Sequence, residues 1–577
     1  MSGIIINPYR YGAATDARWI TKWTVGAGQT ITLWSPTGGT VEYSYDVDWG
    51  DGNTETGITA ADKTHDYTDA GEGTYTVSIT GQFGGLNMQR GSTADREALV
   101  EFVNWGTGEV NSLYRYFYHC TNMVYSATDA PDLTSLTATN GTQMREMFRD
   151  CESVVTLDFS GWTNTSNITY MLYAFYDMIG LQTLNLTGWN TSNVTSCGSM
   201  CYNSGDTTTG CDFTMPSLNW SSSTTMTSMF YNTNVKTLDV TSWTLRAAGV
   251  TCNTMFRYTE EGSSGPAFTM DMSGWSNTSG ITTLNGFIRD SEITSLNTTG
   301  WDTSNVTNMS VVFYGCDKLT HITGLDDWSA DSVTTLANFM QDCKLYNFGA
   351  TDANFGTNFM DDNAGTCTTM ATMLYRCGYT TAGTAAPNVA NWDTSAVTTF
   401  HSMFEGSDWT GGGNLDVSSW DVGSATGTGL ADVFAYTPTT VADTSAWEIP
   451  SGATSLANFA RNSEITTIDF SDTSCDLSGI TTFATFGYQS KMTRFILHGS
   501  SSFAACTSFA NFFPANAYAT VVTADYDALL LRLQATNTNA SVTLYAGSST
   551  YTGGGAVATA RAALVTLGWT ITDGGIA

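Results

Sequence analysis

The amino-acid sequence predicts a mainly β protein with short helices, in which an α/β solenoid of about fifteen coils follows a small β-sandwich and precedes a small α/β module. One short sequence motif recurs fifteen times between Trp105 and Asn516, with a mean period near 28 residues. Residues 29–100 carry alternating apolar segments, and residues 523–577 carry helix-length apolar patterns. We therefore predict four parts, which are an N-terminal attachment segment (1–28), the sandwich (29–100), the solenoid (101–522) and a C-terminal cap module (523–577).

Each coil is predicted to contain a strand, a turn, a short helix and a second turn. The clearest copy of the motif runs from Val306 to Cys316, and its Phe313 defines what we call the Phe position. In each coil, apolar or small residues recur around the Phe position at the spacing of one helical face. A segment in which apolar and polar residues alternate, such as 184–186, precedes the Phe position of its coil. The fifteen residues at the Phe position are Phe117, Phe148, Phe175, Cys201, Phe230, Phe256, Ile288, Phe313, Met340, Leu374, Phe404, Phe434, Ala460, Gly487 and Phe513.

The charge balance excludes several classes of partner. Twenty-one Lys and Arg stand against 53 Asp and Glu, and the net charge of −32 argues against duplex nucleic acid and anionic membrane surfaces. The N-terminus lacks the basic and apolar regions of a secretory signal, and no apolar run approaches the roughly 18 residues of a membrane span. We expect no membrane insertion, and release from the cytoplasm only by lysis or a specialised system.

No catalytic residue is predicted. The five histidines are scattered, and neither an HExxH nor a GxSxG motif occurs. Carboxylate pairs are too common among 53 acidic residues to identify a glycosidase. The twelve cysteines lack metal-binding spacing, and we predict reduced, buried space-filling side chains, with a disulfide or metal ladder as the alternative. Five of them share one inward position that Ser or Thr fills in other coils, namely Cys120, Cys151, Cys316, Cys343 and Cys377.

The repeated motif resembles the repeats of a known family. Segments 189–195 (WNTSNVT) and 301–309 (WDTSNVTNM), each followed by a Met-Phe-like pair, resemble the BspA-like leucine-rich repeats of bacterial surface proteins. The resemblance covers about 400 residues and many copies. It implies a leucine-rich-repeat-type solenoid that serves in adhesion and binding.

The N-terminal part resembles a different family. The order of 47–52 (VDWGDG), 65–67 (HDY) and 73–77 (GTYTV) resembles the PKD domain, an immunoglobulin-like module that serves as a spacer or ligand-binding unit. Asp48 and Asp51 are candidate calcium ligands, which would make Ca²⁺ the one cofactor of the chain. The interpretation that the sequence favours is that both aspartates only form the turn.

The two ends of the chain resemble phage-encoded proteins. Residues 526–530 (YDALL), 546–554 (AGSSTYTGG) and 568–575 (GWTITDGG) resemble a terminal module of phage and environmental bacterial surface proteins. The opening IINPYR (5–10) resembles the start of phage virion proteins. A small α/β cap that covers the open end of the solenoid is compatible with this resemblance.

The residue after the Phe position is predicted to form an exposed stripe on the helix side, which we call the ring column. It is rich in Tyr and Arg, the residue types that are frequent in binding hot spots. Two interpretations stay open, a stacking ladder and a recognition stripe. The candidate binding residues are Tyr118, Arg149, Tyr176, Tyr202, Tyr231, Arg257, Arg289, Tyr314, Tyr375, Arg461 and Tyr488.

Two further columns recur along the coils. The outward residue of each strand is often acidic and predicts an acidic sheet face that binds cations, or Asx ladders that support turns, at Asp158, Asp239, Asp271, Asp416 and Asp469. A tryptophan column is interpreted as packing between coils, with a sugar platform as the alternative, at Trp162, Trp189, Trp243, Trp275, Trp301, Trp328, Trp392, Trp420 and Trp447.

These features together predict a non-enzymatic structural and binding protein, in the first place a phage virion fibre or surface-decoration protein. Its partners would be a host cell-surface glycan or protein, or neighbouring virion proteins, and a homo-oligomer is compatible with this prediction. The expected location is the phage particle surface or tail. The alternatives are a bacterial cell-surface adhesin and a glycan-depolymerising tail spike.

Overall fold

A computed structural model describes residues 16–36, 42–136, 144–261, 268–344, 359–360, 365–378, 386–409, 415–514 and 518–577. These residues form an N-terminal region of antiparallel sheet and, over 101–572, a mainly β solenoid of about sixteen turns with few helices. The predicted fold class is confirmed. The chain divides into two compact units, one of residues 1–244 with 261–266 and one of residues 245–260 with 267–577.

The first unit begins with an antiparallel region of two sheets. Its elements are β1 (Trp19–Val25), β2 (Thr30–Leu33), β3 (Ser44–Asp48), β4 (Thr54–Ile58), β5 (Lys63–Asp66), β6 (Gly73–Gln82), α1 (Thr93–Ala98), β7 (Leu99–Asn104) and β8 (Val124–Tyr125). The larger sheet has the order β4-β3-β6-β1-β7-β8, and β2 pairs with β5. Because β7 pairs in parallel with β8, the sheet leads directly into the first coil.

Strand β1 falls inside residues 1–28, which the sequence analysis assigned to an attachment segment. It pairs with β6 on one side and with β7 on the other. Its alternate residues Trp19, Trp23 and Val25 are buried, so the segment has the period-2 pattern of an inner strand. The phage-like opening at 5–10 lies outside the described residues.

The coils of the first unit stack short parallel strands in register. These strands are β9 (Thr156–Asp158), β10 (Thr183–Asn185), β11 (Cys211–Thr214) and β12 (Asn234–Asp239). Leu157, Leu184, Phe213 and Leu238 face one another across the sheet. Each strand contributes an inward apolar residue at this register, so the core is a stack of equivalent layers, and β11 and β12 bury a second one, Cys211 and Val235.

The second unit continues with the same kind of strand pairing. Strand β13 pairs with β16, β15 with β17, β17 with β18, and β19 with β20, all in parallel. Their bounds, with β14 between them in the chain, are β13 (Val250–Thr251), β14 (Glu260–Glu261), β15 (Thr269–Asp271), β16 (Ile281–Thr283), β17 (Ser295–Asn297), β18 (His321–Thr323), β19 (Thr467–Phe470) and β20 (Arg494–Leu497).

The C-terminal residues contain the two longest helices and continue the stacking. Their elements are α2 (Thr523–Thr536), β21 (Thr543–Tyr545), α3 (Gly555–Thr566) and β22 (Thr570–Thr572). Phe509 bridges in parallel to Leu544, and β21 pairs in parallel with β22. The solenoid therefore extends past the fifteen predicted coils. Within the described ranges, no helix has both the length and the apolar character that crossing a bilayer requires.

The helix predicted around each Phe position is wrong, because this segment is a run of turns. The residues two before and two after the Phe position have positive φ, as at Glu146 (56°) and Asp150 (58°) around Phe148. Backbone N–H groups alternate between two acceptors. Phe148 N donates to Ala174 O of the next coil at 2.9 Å, whereas Cys151 N donates to Phe148 O at 3.2 Å. A helix would use only acceptors within its own coil, so the coil-to-coil ladder replaces it.

The tryptophan column packs between coils, as the sequence analysis favoured. All nine of its members are buried, which leaves no platform for a sugar. Several indoles donate Nε1–H to a carbonyl of the preceding coil, as Trp189 does to Phe159 O at 2.9 Å and Trp301 to Met272 O at 3.0 Å. The rings also stack on one another, with Trp301 and Trp328 at 5.9 Å and 5°. Each tryptophan therefore joins two coils by packing and by a hydrogen bond.

The twelve cysteines are all free and buried, so the space-filling interpretation is confirmed. They have a second role where they follow the Phe position by three residues. Cys151 Sγ donates to Phe117 O and Cys316 Sγ to Ile288 O, both at 3.1 Å, and Thr233 Oγ1 makes the same bond to Cys201 O. Cys, Ser and Thr exchange at this position because each offers a small donor to a carbonyl of the preceding coil.

A thiol count tests this arrangement. We expect the native protein to react with almost no Ellman's reagent, and the protein in guanidinium without reductant to show twelve thiols. Burial raises the pKa of Cys367 to about 11 and that of Cys197 to about 12, so thiolate is scarce in the fold. Rapid labelling of native protein, or fewer than twelve thiols after unfolding, would contradict the prediction.

Candidate functional site

The ring column is half-buried rather than exposed, which corrects the prediction from sequence. Every one of its eleven candidate residues is intermediate in exposure. The reason is stacking between coils, because the Tyr176 and Tyr202 rings lie 4.9 Å apart at 11°, and the Tyr202 and Tyr231 rings 4.7 Å apart at 4°. Their faces are covered by their neighbours, and the edges are what the column presents to solvent.

Arginines of the ring column take part in the same stacking. The guanidinium of Arg149 lies 4.8 Å from the Tyr176 ring centre and 5.8 Å from that of Tyr118. In the second unit, Arg289 lies 4.6 Å from the Tyr314 ring and Arg461 5.4 Å from the Tyr436 ring. Cation–π contacts of this kind stabilise by about 0.5–2 kcal/mol each. The stacking ladder is thus present, and recognition by its outer edges stays a prediction.

The first coils carry a charged cluster beside the ring column. Glu146 is almost fully buried and pairs with Arg115 (3.0 Å), Arg145 (2.9 Å) and Arg149 (3.4 Å). One residue after Arg149, the Asp150 carboxylate lies 2.7 Å from His119 Nε2. Three arginines surround one buried glutamate, so the four side chains carry a net positive charge. The negative charge of the neighbouring aspartates offsets it.

Asp150 holds its proton more tightly than an ordinary aspartate. Burial raises its pKa to about 6, the positive charge of Arg149 offsets part of that rise, and Asp177 adds to it. The pKa of His119 is lowered, first by burial and then by the charges of Arg149 and Arg96. His119 is therefore neutral at pH 7, and its 2.7 Å contact with Asp150 is not a full ion pair.

Asp150→Asn is expected to stabilise the protein at pH 7.5 and to have little effect at pH 4.5. The folded pKa is raised, so the stability that protonated Asp150 contributes is complete below about pH 4 and is lost as the pH rises through about 6. Asparagine resembles the protonated form, and the gain at pH 7.5 should be about 1–2 kcal/mol after allowance for solvent screening. Urea unfolding at both pH values measures it.

The matched control for that experiment is Asp158→Asn, because the Asp158 side chain is exposed on the sheet face of the same unit. It should not reproduce a gain that depends on pH. An equal gain for Asp150→Asn at both pH values would contradict the assignment of the raised pKa.

The aspartates of the acidic sheet face support turns. Asp158, Asp271 and Asp416 each accept a hydrogen bond from the backbone N–H two residues later, at 3.0–3.2 Å. Asp239 and Asp469 do the same. Across the strands, Asn185 lies opposite Asp158 and Asn297 opposite Asp271, so an amide separates the charges. This geometry is that of the Asx ladder rather than of a cation site.

Asp48 and Asp51 also have local partners. Asp48 Oδ1 accepts from Gly50 N at 2.9 Å, and Asp51 accepts from both Asn53 N and His65 Nε2. Among the residues that the structure describes, no group of three or more His, Cys, Asp or Glu side chains could hold a metal ion. Calcium is therefore not needed to explain these two carboxylates.

A cavity of about 720 Å³ opens in the second unit where the ring column loses its large side chains. After Tyr375 the column continues with Glu405 and Ala435, which cannot extend a stack of rings. No cavity was predicted here from the sequence, although the column changes visibly from Tyr to Glu and Ala. The described residues that line the cavity are Asp317, Asp342, Lys344, Tyr375, Arg376, Glu405, Gly406 and Tyr436.

A family model described as "Mycoplasma protein of unknown function, DUF285" matches the chain in five overlapping segments, which are residues 87–212, 142–275, 224–353, 282–382 and 348–473. Together these segments cover residues 87–473, about two thirds of the 577 residues. The chain belongs to this family. No curated protein and no solved structure matches it.

The DUF285 match supports the repeat solenoid that the resemblance to BspA-like repeats implied. The matched DUF285 segments contain the cavity and every candidate residue of the ring column except Tyr488. Residues 1–86 and 474–577 lie outside the match.

Proposed function

We propose that the protein is a non-enzymatic structural and binding protein, specifically a phage virion fibre or surface-decoration protein that contacts the host surface or neighbouring virion proteins. The ring column carries this proposal. Adjacent coils, about 4.8 Å apart, present tyrosine edges and guanidinium groups on the same side. These residue types dominate binding hot spots, and a repeated surface suits a repetitive partner such as a polysaccharide.

The assignment to a virion rests on the resemblance of the two ends of the chain to phage proteins. In this proposal the antiparallel region is a PKD-like spacer, and its Trp49 and His65 rings stack at 4.7 Å. The second candidate is a bacterial cell-surface adhesin. The family description names Mycoplasma, and a bacterial source is compatible with this candidate.

Two measurements test the proposal. Mass spectrometry of purified phage particles should detect the chain in the virion, and labelled protein should bind cells of the host. A variant with Tyr202, Tyr231 and Arg257 all changed to Ser should bind more weakly by tenfold or more. The matched control is Tyr170→Ser, which removes a tyrosine that is 40% exposed.

Three results would contradict the proposal. Host binding that is unchanged in the folded triple variant would remove the ring column as the binding surface. Release of oligosaccharides from host polysaccharide would make the protein an enzyme. Detection of the chain on bacterial envelopes, with none in phage particles, would favour the adhesin.

A further inference from the structure

The cavity beside Tyr375 has the features of a ligand site that the rest of the ring column lacks. It draws its lining from five successive coils of the second unit, those of Phe313, Met340, Leu374, Phe404 and Phe434. Four coil spacings amount to about 19 Å. Its volume of about 720 Å³ lies in the range of small-ligand pockets. A ligand of several linked units would fit that length and volume.

Aromatic rings stand on both sides of the gap in the column. Tyr375 is half-buried, and Arg376 lies 5.0 Å from its ring centre. Tyr436 belongs to the coil two further along and is 43% exposed. Gly406, between them, has φ +69°, and an added Cβ would approach Arg376 Cγ to 3.2 Å. The small Gly406 therefore leaves room for a ring from outside to occupy the gap.

Polar side chains of the cavity are available for hydrogen bonds. Arg376 pairs with Asp342 only at 4.0 Å, and its side chain is 55% exposed. Within the described residues, Asp317, Lys344 and Glu405 make no side-chain hydrogen bond or ion pair. The lining thus combines two aromatic rings with three carboxylates and two cations, and it offers both donors and acceptors at its rim.

Beneath the cavity, alternate backbone N–H groups of the described residues already pair with the next coil. Asp342 N donates to Tyr375 O, Arg376 N to Glu405 O and Gly406 N to Ala435 O, each at 2.9 Å. These three N–H groups are therefore not available to pair with an extended peptide. Recognition must use side chains and ring faces. A pyranose meets that requirement, because its C–H face packs on an aromatic ring and its hydroxyls hydrogen-bond at the edge.

We infer that this cavity binds a neutral oligosaccharide, with one sugar ring in the gap between Tyr375 and Tyr436. The inference rests on the proposed function, since it names the ligand class of the binding surface. A neutral ligand is favoured over an anionic one because the described lining residues carry three carboxylates and two cations and the chain has a net charge of −32. Glu405, Lys344 and Arg376 bind its hydroxyl groups.

Calorimetric titration of the full chain tests the inference with four probes. These are maltohexaose, an N-acetylglucosamine hexamer, a hexagalacturonate and a hexalysine peptide. At least one neutral hexamer should bind with Kd below about 1 mM. Tyr436→Ser should weaken that binding tenfold or more, and Tyr170→Ser should leave it unchanged.

Glu405→Tyr distinguishes a binding site from a structural gap. A tyrosine at this position extends the stack from Tyr375 and fills the cavity, so the variant should fold at least as stably and yet lose the sugar. Several results would overturn the inference, namely no heat from either neutral hexamer, tighter binding of hexagalacturonate or hexalysine, or full affinity in folded Glu405→Tyr. If virion incorporation and host binding persist despite any of these results, the proposed function stands and only this ligand assignment fails.

Discussion

Trp301→Ala is expected to destabilise the coils around residues 272–330 by about 3–5 kcal/mol, the cost of removing a large buried aromatic side chain. Trp301 is 1% exposed and lies between Trp275 at 5.3 Å and Trp328 at 5.9 Å. Its Nε1–H also donates to Met272 O of the preceding coil at 3.0 Å. The substitution therefore opens a cavity, interrupts the stack on both sides and removes one of the two hydrogen bonds that Met272 O accepts, the other coming from Trp275 N at 3.1 Å.

Trp301→Phe is the matched control, because it keeps an aromatic ring in the stack and loses the indole N–H. It should cost about 0.5–1.5 kcal/mol, mainly from the lost bond between the indole N–H and Met272 O, because Met272 O still accepts from Trp275 N. Hydrogen exchange of the amides in these coils is the suitable readout, since repeat arrays open locally and need not unfold in one step. Equal losses of protection in the two variants would mean that the hydrogen bond, and not the packing, dominates.

The repeat and its buried positions could be predicted from the sequence because buried positions carry similar apolar side chains in successive coils. The Phe position recurs in all fifteen coils, and the tryptophan column recurs in nine of them at a similar distance before it. The residues at both positions lie in the core, as do the twelve cysteines. An inward position tolerates only a narrow range of side chains, so even a single sequence with many coils records it repeatedly.

The conformation around the Phe position could not be derived from apolar spacing alone. Apolar residues three and four apart fit a helical face, and they fit equally well the run of turns that the structure has. A better indicator lay two residues after the Phe position, where Asp150, Asp177, Asn203 and Asn232 follow one another in successive coils. Asp and Asn tolerate positive φ better than most residues and are poor in helix interiors.

Some residues adopt positive φ against their own preference. Val311 has φ 54° although it is β-branched, and Arg376 has φ 51°. Each such residue costs roughly 1–2 kcal/mol of conformational energy. The coil-to-coil ladder compensates, since Val311 N donates to Ala337 O at 3.0 Å and Arg376 N to Glu405 O at 2.9 Å. Local propensity is overruled by hydrogen bonds to residues about 26–29 positions away.

The residue types of the ring column could be predicted from the sequence, but the exposure of their side chains could not. A single coil places Tyr202 outside the core, and only the neighbouring coils reveal that Tyr176 and Tyr231 cover its two faces. The cavity has the same origin, because it exists where Glu405 and Ala435 fail to cover Tyr375. Exposure in a stacked array depends on pairs of successive coils, and a prediction for one coil at a time misses it.

Gly324→Ala is expected to destabilise the second unit by about 3–5 kcal/mol, because the added methyl has no space. Gly324 has φ +80°, and a Cβ there would lie 2.3 Å from Thr299 N and 2.4 Å from Thr299 Cα of the preceding coil. Both contacts are to backbone, so two stacked coils would have to separate. Thr298 N donates to Thr323 O at 2.8 Å across the same pair of coils, and this bond should weaken.

Gly300→Ala is the control that separates steric conflict from backbone strain. Gly300 has the same φ of +80°, but a Cβ there meets no atom within 4 Å. It therefore incurs only the conformational cost of alanine at positive φ, about 1–2 kcal/mol. Urea unfolding followed by tryptophan fluorescence, together with exchange of the Thr298 amide, compares the two variants. Equal losses in the free energy of unfolding for Gly324→Ala and Gly300→Ala would contradict this prediction. Such a result would mean that the steric conflict at Gly324 costs nothing and that the two coils lie further apart there than in the structure.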